Sequence, residues 1–179
     1  MHFIFASLAA LIVGSVVSVT AQTCTTCGSI MQQFWRSNLP GKLDHFYTTD
    51  NTQFLTAVNS QGYKPEGVAG GVFSTQLGSS VAFFGLFNSA LVDHFYTTNA
   101  TEVKEFEANG YVLQGTAAFV YPRQVCGSVP LYRTFNPTAV DHFYTTNPLE
   151  RDASLSSYVD QGIAAYLPAP GATNNSPLC

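Results

Sequence analysis

The residues of this 179-residue sequence best suited to chemistry come in three copies: DHFYTTD from Asp44 to Asp50, DHFYTTN from Asp93 to Asn99, and DHFYTTN from Asp141 to Asn147. Each copy sets a carboxylate next to an imidazole, with a phenol two residues on. Adjacent Asp and His suggest a general-base dyad. The motif, however, consists of good strand formers, and neighbours on a strand point to opposite faces. Asp44 therefore shares a face with Phe46 and Thr48, and His45 shares the other with Tyr47 and Thr49. An aspartate cannot readily orient the histidine beside it. No Ser or Cys recurs at a fixed offset to act as nucleophile. Glycoside cleavage needs two acids about 5–9 Å apart, and no obvious pair lies outside the motifs and helix caps. The expectation is a protein that is not an enzyme and carries no cofactor.

Two binding chemistries remain. His45, His94 and His142 are related by the repeat, and on a shared axis their imidazoles could hold zinc or copper. This is an alternative to the main reading, which assigns no metal. The other chemistry is sugar recognition, where aromatic rings stack on C–H patches and polar side chains bond to hydroxyls. The candidates are Trp35, Arg36, Asp44, His45, Tyr47, Asp93, His94, Tyr96, Tyr132, Arg133, Asp141, His142 and Tyr144. A scaffold role for the motif competes with both, because Phe, Tyr and Thr on a strand are what a core needs.

The elements around the motif repeat as well, so internal repetition organises the chain. Three units are expected, at 27–76, 77–124 and 125–179. An aromatic segment precedes each motif, with Trp35, Phe84 and Tyr132 each nine positions before the motif aspartate. A hairpin fits this spacing, turning near Pro40-Gly41 in the first unit and Asn136-Pro137 in the third. Asp50, Asn99 and Asn147 then read as helix N-caps, with Gln53, Glu102 and Glu150 completing capping boxes and Pro148 at the first helical position. The helices are expected to end at Gly62, Gly110 and Gly162, the third about one turn longer. Final strands are expected at Val68 to Phe73, Thr116 to Tyr121 and Ala164 to Leu167. The fold class is thus α+β: three ββαβ repeats in a closed, β-rich, pseudo-threefold ring with one helix each. One unit is too small to bury its own apolar face, and closure leaves few strand edges.

Composition sets the context. Residues 1–21 read as a signal peptide, with an apolar run and a Val19-Thr20-Ala21 cleavage pattern, leaving residues 22–179 as a single secreted, extracellular domain. Charged residues make up 10% of the chain and the net charge is −4. This argues against nucleic acid as a partner and gives no reason to expect a membrane surface. Cys24, Cys27, Cys126 and Cys179 read as two disulfides. If the units close on themselves, Cys179 bonds Cys24 or Cys27, and Cys126 takes the other. Asn99 and Asn174 stand in N-glycosylation sequons.

The aromatic-Arg segment, the HFYTT core, the acidic helix residue and the later G-Y resemble a tandem-repeat family of unknown function. It is found in secreted fungal and bacterial proteins, often beside secreted hydrolases. The resemblance covers the whole mature chain and implies an accessory or carbohydrate-binding module. Two departures stand out. Gly85 replaces the Arg36 and Arg133 of the other units, and unit three is read as lacking the Glu66-Gly67 and Gln114-Gly115 step. The functional expectation is a lectin-like protein with repeated shallow sites for glycans or cell-wall polysaccharide. The alternatives are a structural or effector protein that binds a protein partner, and a hydrolase-associated or metal-binding domain.

Overall fold

Each motif strand is flanked by a tight turn on one side and a capped helix on the other, and this punctuation fixes the architecture. The computed structural model describes Cys27 and residues 31–169. Its elements are β1 (Gln32–Leu39), β2 (Asp44–Thr48), α1 (Asn51–Ser60), β3 (Lys64–Val72), β4 (Val81–Asn88), β5 (Asp93–Thr97), α2 (Ala100–Ala108), β6 (Val112–Val120), β7 (Val129–Asn136), β8 (Asp141–Thr145), α3 (Pro148–Ser154) and β9 (Val159–Leu167). They form three antiparallel sheets in the orders β2-β1-β3, β5-β4-β6 and β8-β7-β9. The fold is α+β with three repeat-like units.

The hairpin register is the same each time, with Arg36 opposite Tyr47, Gly85 opposite Tyr96 and Arg133 opposite Tyr144. The residue before each motif, Leu43, Val92 or Val140, has a positive φ of 56–59°. That is costly for any residue but glycine, and most for the two valines, which are branched at Cβ, and it turns the chain into the motif strand.

The helices begin as expected but are capped differently. Asp50 accepts from the Thr52 and Gln53 amides, Asn99 from Thr101, and Asn147 from Leu149. In a capping box the residue three beyond the cap would reach back to the cap's own amide. Here Thr48, Thr97 and Thr145 accept that amide through Oγ1 and donate their hydroxyls to Gln53, Glu102 and Glu150. A threonine relay thus leaves the far side of each acid or amide free for another partner.

Unit three departs from expectation at its helix. α3 is the shortest of the three and stops at Ser154, with Leu155 as its C-cap. Gly62 and Gly110 follow their helices at φ of +86° and +87°. Gly162 instead lies within β9, at the place of Gly67 and Gly115, where a positive φ accompanies a break in strand register. Gln161-Gly162 is therefore the step that unit three was read as lacking. These bulges also let the final strands start earlier than hydrophobicity suggested.

Three equivalent sets of side chains meet in the core: Phe34, Phe83 and Leu131; Tyr47, Tyr96 and Tyr144; Val72, Val120 and Leu167. Cys27 and Cys126 form a disulfide that spans 99 residues of sequence, as expected for one of the two bonds. The expected partner pair, Cys24 and Cys179, the signal peptide and Asn174 lie outside the described residues.

Candidate functional site

The motif aspartates do orient histidines, but those of another unit. His94 gives its backbone amide to Asp44 Oδ1 at 2.8 Å and its Nδ1–H to Oδ2 at 2.8 Å. His142 does the same to Asp93, and His45 to Asp141. Each carboxylate also accepts a phenol from its own unit: Tyr63 on Asp44, Tyr111 on Asp93, Tyr158 on Asp141. Burial and the neighbouring carboxylate push all three phenols well above the ordinary tyrosine pKa.

The motif tyrosines make a second set of links between units. Tyr47 Oη donates to the Tyr144 carbonyl and accepts the Tyr144 amide, each at 2.8 Å. Tyr144 treats Tyr96 in the same way, and Tyr96 treats Tyr47. The rings meet edge to face, with centroids 5.5–5.6 Å apart, a favourable aromatic geometry.

A third link is made only twice. Arg36 forks onto Glu150 at 2.7 and 3.0 Å, and its guanidinium carbon lies 5.0 Å from the centroid of the Phe143 ring. Arg133 forks onto Glu102 at 2.8 and 3.1 Å, again 5.0 Å from the centroid of its ring, Phe95. Burial raises the Glu102 and Glu150 carboxyl pKa values, but the arginine and threonine hydrogen bonds more than reverse this, leaving both below the ordinary glutamate value. By the same register the third clamp would join position 85 to position 53 over Phe46. Those positions hold Gly85 and Gln53, so both halves of the ion pair are missing.

A cleft of ≈ 700 Å³ lies at that place, between the first and second units. Phe46, half-buried where Phe95 and Phe143 are covered, contributes an aromatic face. Around it stand Gln53, Gln61, Gln114, Thr49, Thr116 and His94. Asp50 is the one carboxylate in the lining among the described residues, and it already caps α1. At the position of the Arg36 clamp the opening is ≈ 260 Å³, lined by His45, Glu66, Phe143 and Glu150 among others.

The expected site residues thus separate. Asp44, Asp93, Asp141, Tyr47, Tyr96 and Tyr144 are buried, and their polar side-chain atoms are engaged within the protein. Trp35 stacks on Phe54 at 5.2 Å, and Tyr132 lies 5.0 Å from the Arg151 guanidinium. Arg36 and Arg133 are taken up by the two clamps. His45 and His142 are buried, while His94 keeps 16% of its side chain exposed at the cleft. The cleft residues that the sequence did not mark as site candidates are Phe46, Gln53, Gln61 and Gln114. The available signal was the paired exception at positions 85 and 53.

The histidines do not meet as a metal-binding set. Each reaches an aspartate, and among the described residues it is Asp44, Asp93 and Asp141 whose ligand atoms come within 4.8 Å of one another. Those carboxylates are already engaged by histidine and tyrosine donors, so the arrangement reads as a buried polar network.

These features define an α+β protein of three repeat-like units, locked by bonds between units and opened at one interface. Residues 33–168 match the family described as a domain of unknown function (DUF5648), and the chain belongs to that family. No curated protein and no solved structure matches it.

Proposed function

We propose that this protein is a non-catalytic carbohydrate-binding protein that recognises its ligand in the cleft between its first and second units. In this reading the units close around a pseudo-threefold axis, which the return of the tyrosine bonds from Tyr47 through Tyr144 and Tyr96 to Tyr47 supports. The observation that carries the binding site is the missing clamp. Gly85 and Gln53 leave an aromatic face open in a cleft rich in amides and hydroxyls. Neutral, hydroxyl-bearing ligands with an apolar face suit such a surface, and its volume falls within the usual range of ligand pockets. The leader read at residues 1–21 would bring the protein to glycans or cell-wall polysaccharide outside the cell.

One site per chain follows, in place of three shallow ones, because arginine fills the other two positions. Screening on a glycan array and titration calorimetry of the best ligand test this, with a stoichiometry near one expected. Introducing Gly85→Arg together with Gln53→Glu should abolish binding while the circular dichroism spectrum stays unchanged. Failure of the wild-type protein to bind any glycan or polysaccharide would overturn the proposal, as would undiminished binding by the folded double variant.

A further inference from the structure

We infer that the cleft selects a neutral sugar through a vicinal diol held by Gln53, with the sugar's apolar face on Phe46; this rests on the carbohydrate reading above. The two intact clamps define the geometry. Glu102 and Glu150 each offer two acceptor oxygens to the fork of an arginine, and one of those oxygens, Oε2, also takes a threonine hydroxyl. At the open position Thr48 Oγ1 accepts the Asp50 amide and directs its own proton to Gln53 Oε1 at 3.0 Å. Gln53 Oε1 therefore stands in for the glutamate Oε2, and Nε2 takes the place of Oε1.

The fork's requirement changes with that replacement. A carboxylate asks for two donors. The amide offers one remaining acceptor site and, beside it, one of the two Nε2 N–H donors, and Gln53 Nε2 has no hydrogen-bond partner among the described residues. Two adjacent hydroxyls satisfy it, one donating to Oε1 and the other accepting from Nε2. His94 adds a third contact. Its Nδ1 is bonded to Asp44, which leaves Nε2 as the ring nitrogen for a ligand, and a hydroxyl can pair with it as donor or acceptor. Charge is selected against as well. Among the described residues no lysine or arginine lines the cleft, so a sugar carboxylate would find no lysine or arginine to pair with and would meet Asp50.

Titration calorimetry with cellohexaose, xylohexaose, chitohexaose, hexagalacturonate and adenine tests the inference. Internal residues of the first two are neutral and carry a free 2,3-diol. Chitohexaose replaces the 2-hydroxyl with an acetamido group, hexagalacturonate adds charge, and adenine, which has no diol, offers a purine edge that also pairs with an amide. We expect binding of cellohexaose or xylohexaose, weakened about tenfold or more by Gln53→Ala, as loss of two neutral hydrogen bonds implies. Chitohexaose and hexagalacturonate should bind at least about tenfold more weakly. Chitohexaose or hexagalacturonate binding as tightly, or a folded Gln53→Ala protein that binds normally, would overturn the diol inference. If that binding is still lost in Gly85→Arg, the carbohydrate reading stands. Binding of adenine alone, or of none of the five, would overturn the diol inference, and only the wider glycan screen would then decide the carbohydrate reading.

Discussion

The hydroxyl of Tyr47 both donates to the carbonyl and accepts from the amide of Tyr144, so one side-chain atom satisfies the whole backbone polarity of a residue in another unit. The same arrangement holds from Tyr144 to Tyr96 and from Tyr96 to Tyr47. Removing one hydroxyl strands a buried N–H and a buried C=O. Each orphan costs about 1–3 kcal/mol, so Tyr47→Phe, Tyr96→Phe and Tyr144→Phe should each destabilise the protein by about 2–6 kcal/mol. Urea denaturation midpoints check this. The three losses should be similar, because the three environments are alike.

Asp44 connects two units, with Tyr63 of its own and His94 of the next bonded to one carboxylate. Asp44→Ala should cost about 3 kcal/mol or more, because the Tyr63 hydroxyl, the His94 amide and the His94 ring nitrogen all lose their partner, and each orphan costs about 1–3 kcal/mol. The position of the spectroscopic change is the sharper test. Imidazole NMR signals of His94 should shift in Asp44→Ala, with His45 much less affected, although His45 is its sequence neighbour.

Much of this frame was legible in the sequence because it is local. The strand-turn-strand spacing, the N-caps at Asp50, Asn99 and Asn147, and the strand-strand-helix-strand order follow from short-range rules and were repeated three times. Strand alternation also correctly kept Asp44 from orienting His45. It did not reveal that Asp44 orients His94, because that contact depends on how units meet. Gly162 misled for a related reason. A glycine after a helical pattern and a glycine at a strand bulge look alike until a partner strand is present. Leu43, Val92 and Val140 gave no sign of their left-handed backbone, since those residue types ordinarily avoid it. Gly85 stands out as a departure, whereas Gln53 reads as equivalent to Glu102 and Glu150 in a capping box, and the connection between them appears only when the arginine of one unit is seen to meet the acid of another.

Six phenols are held above their ordinary pKa, those of Tyr47, Tyr96 and Tyr144 chiefly by burial, and those of Tyr63, Tyr111 and Tyr158 by burial and a carboxylate. A folded-state pKa above the unfolded value means that the stabilisation is complete below the unfolded value, about 10 for tyrosine. It is lost as pH rises beyond that point toward the higher folded values. Stability should therefore hold up to about pH 10 and fall steeply above it. Phenolate absorbance should rise in step with loss of circular dichroism. A smooth titration of most tyrosines near pH 10 in the folded protein would contradict this placement.

The missing clamp predicts a stability effect separate from binding. Gly85 has an ordinary backbone conformation, and a Cβ there would lie 3.2 Å from Tyr96 Cε1 and 3.5 Å from Ala117 Cβ. The ring must yield slightly, but arginine already stands opposite Tyr47 and Tyr144 at the equivalent sites. Gly85→Arg alone would place a cation over Phe46 with only an amide to receive it, and Gln53→Glu alone would add a carboxylate without its partner. Together they should form the fork seen at Glu102 and Glu150. The pair should show a favourable coupling of about 0.5–3 kcal/mol in a double-mutant cycle, the range for residues in direct contact. Thermal melts of the wild type, both single variants and the double variant measure it. Strict additivity would mean that the first and second units do not meet in the geometry of the other two interfaces.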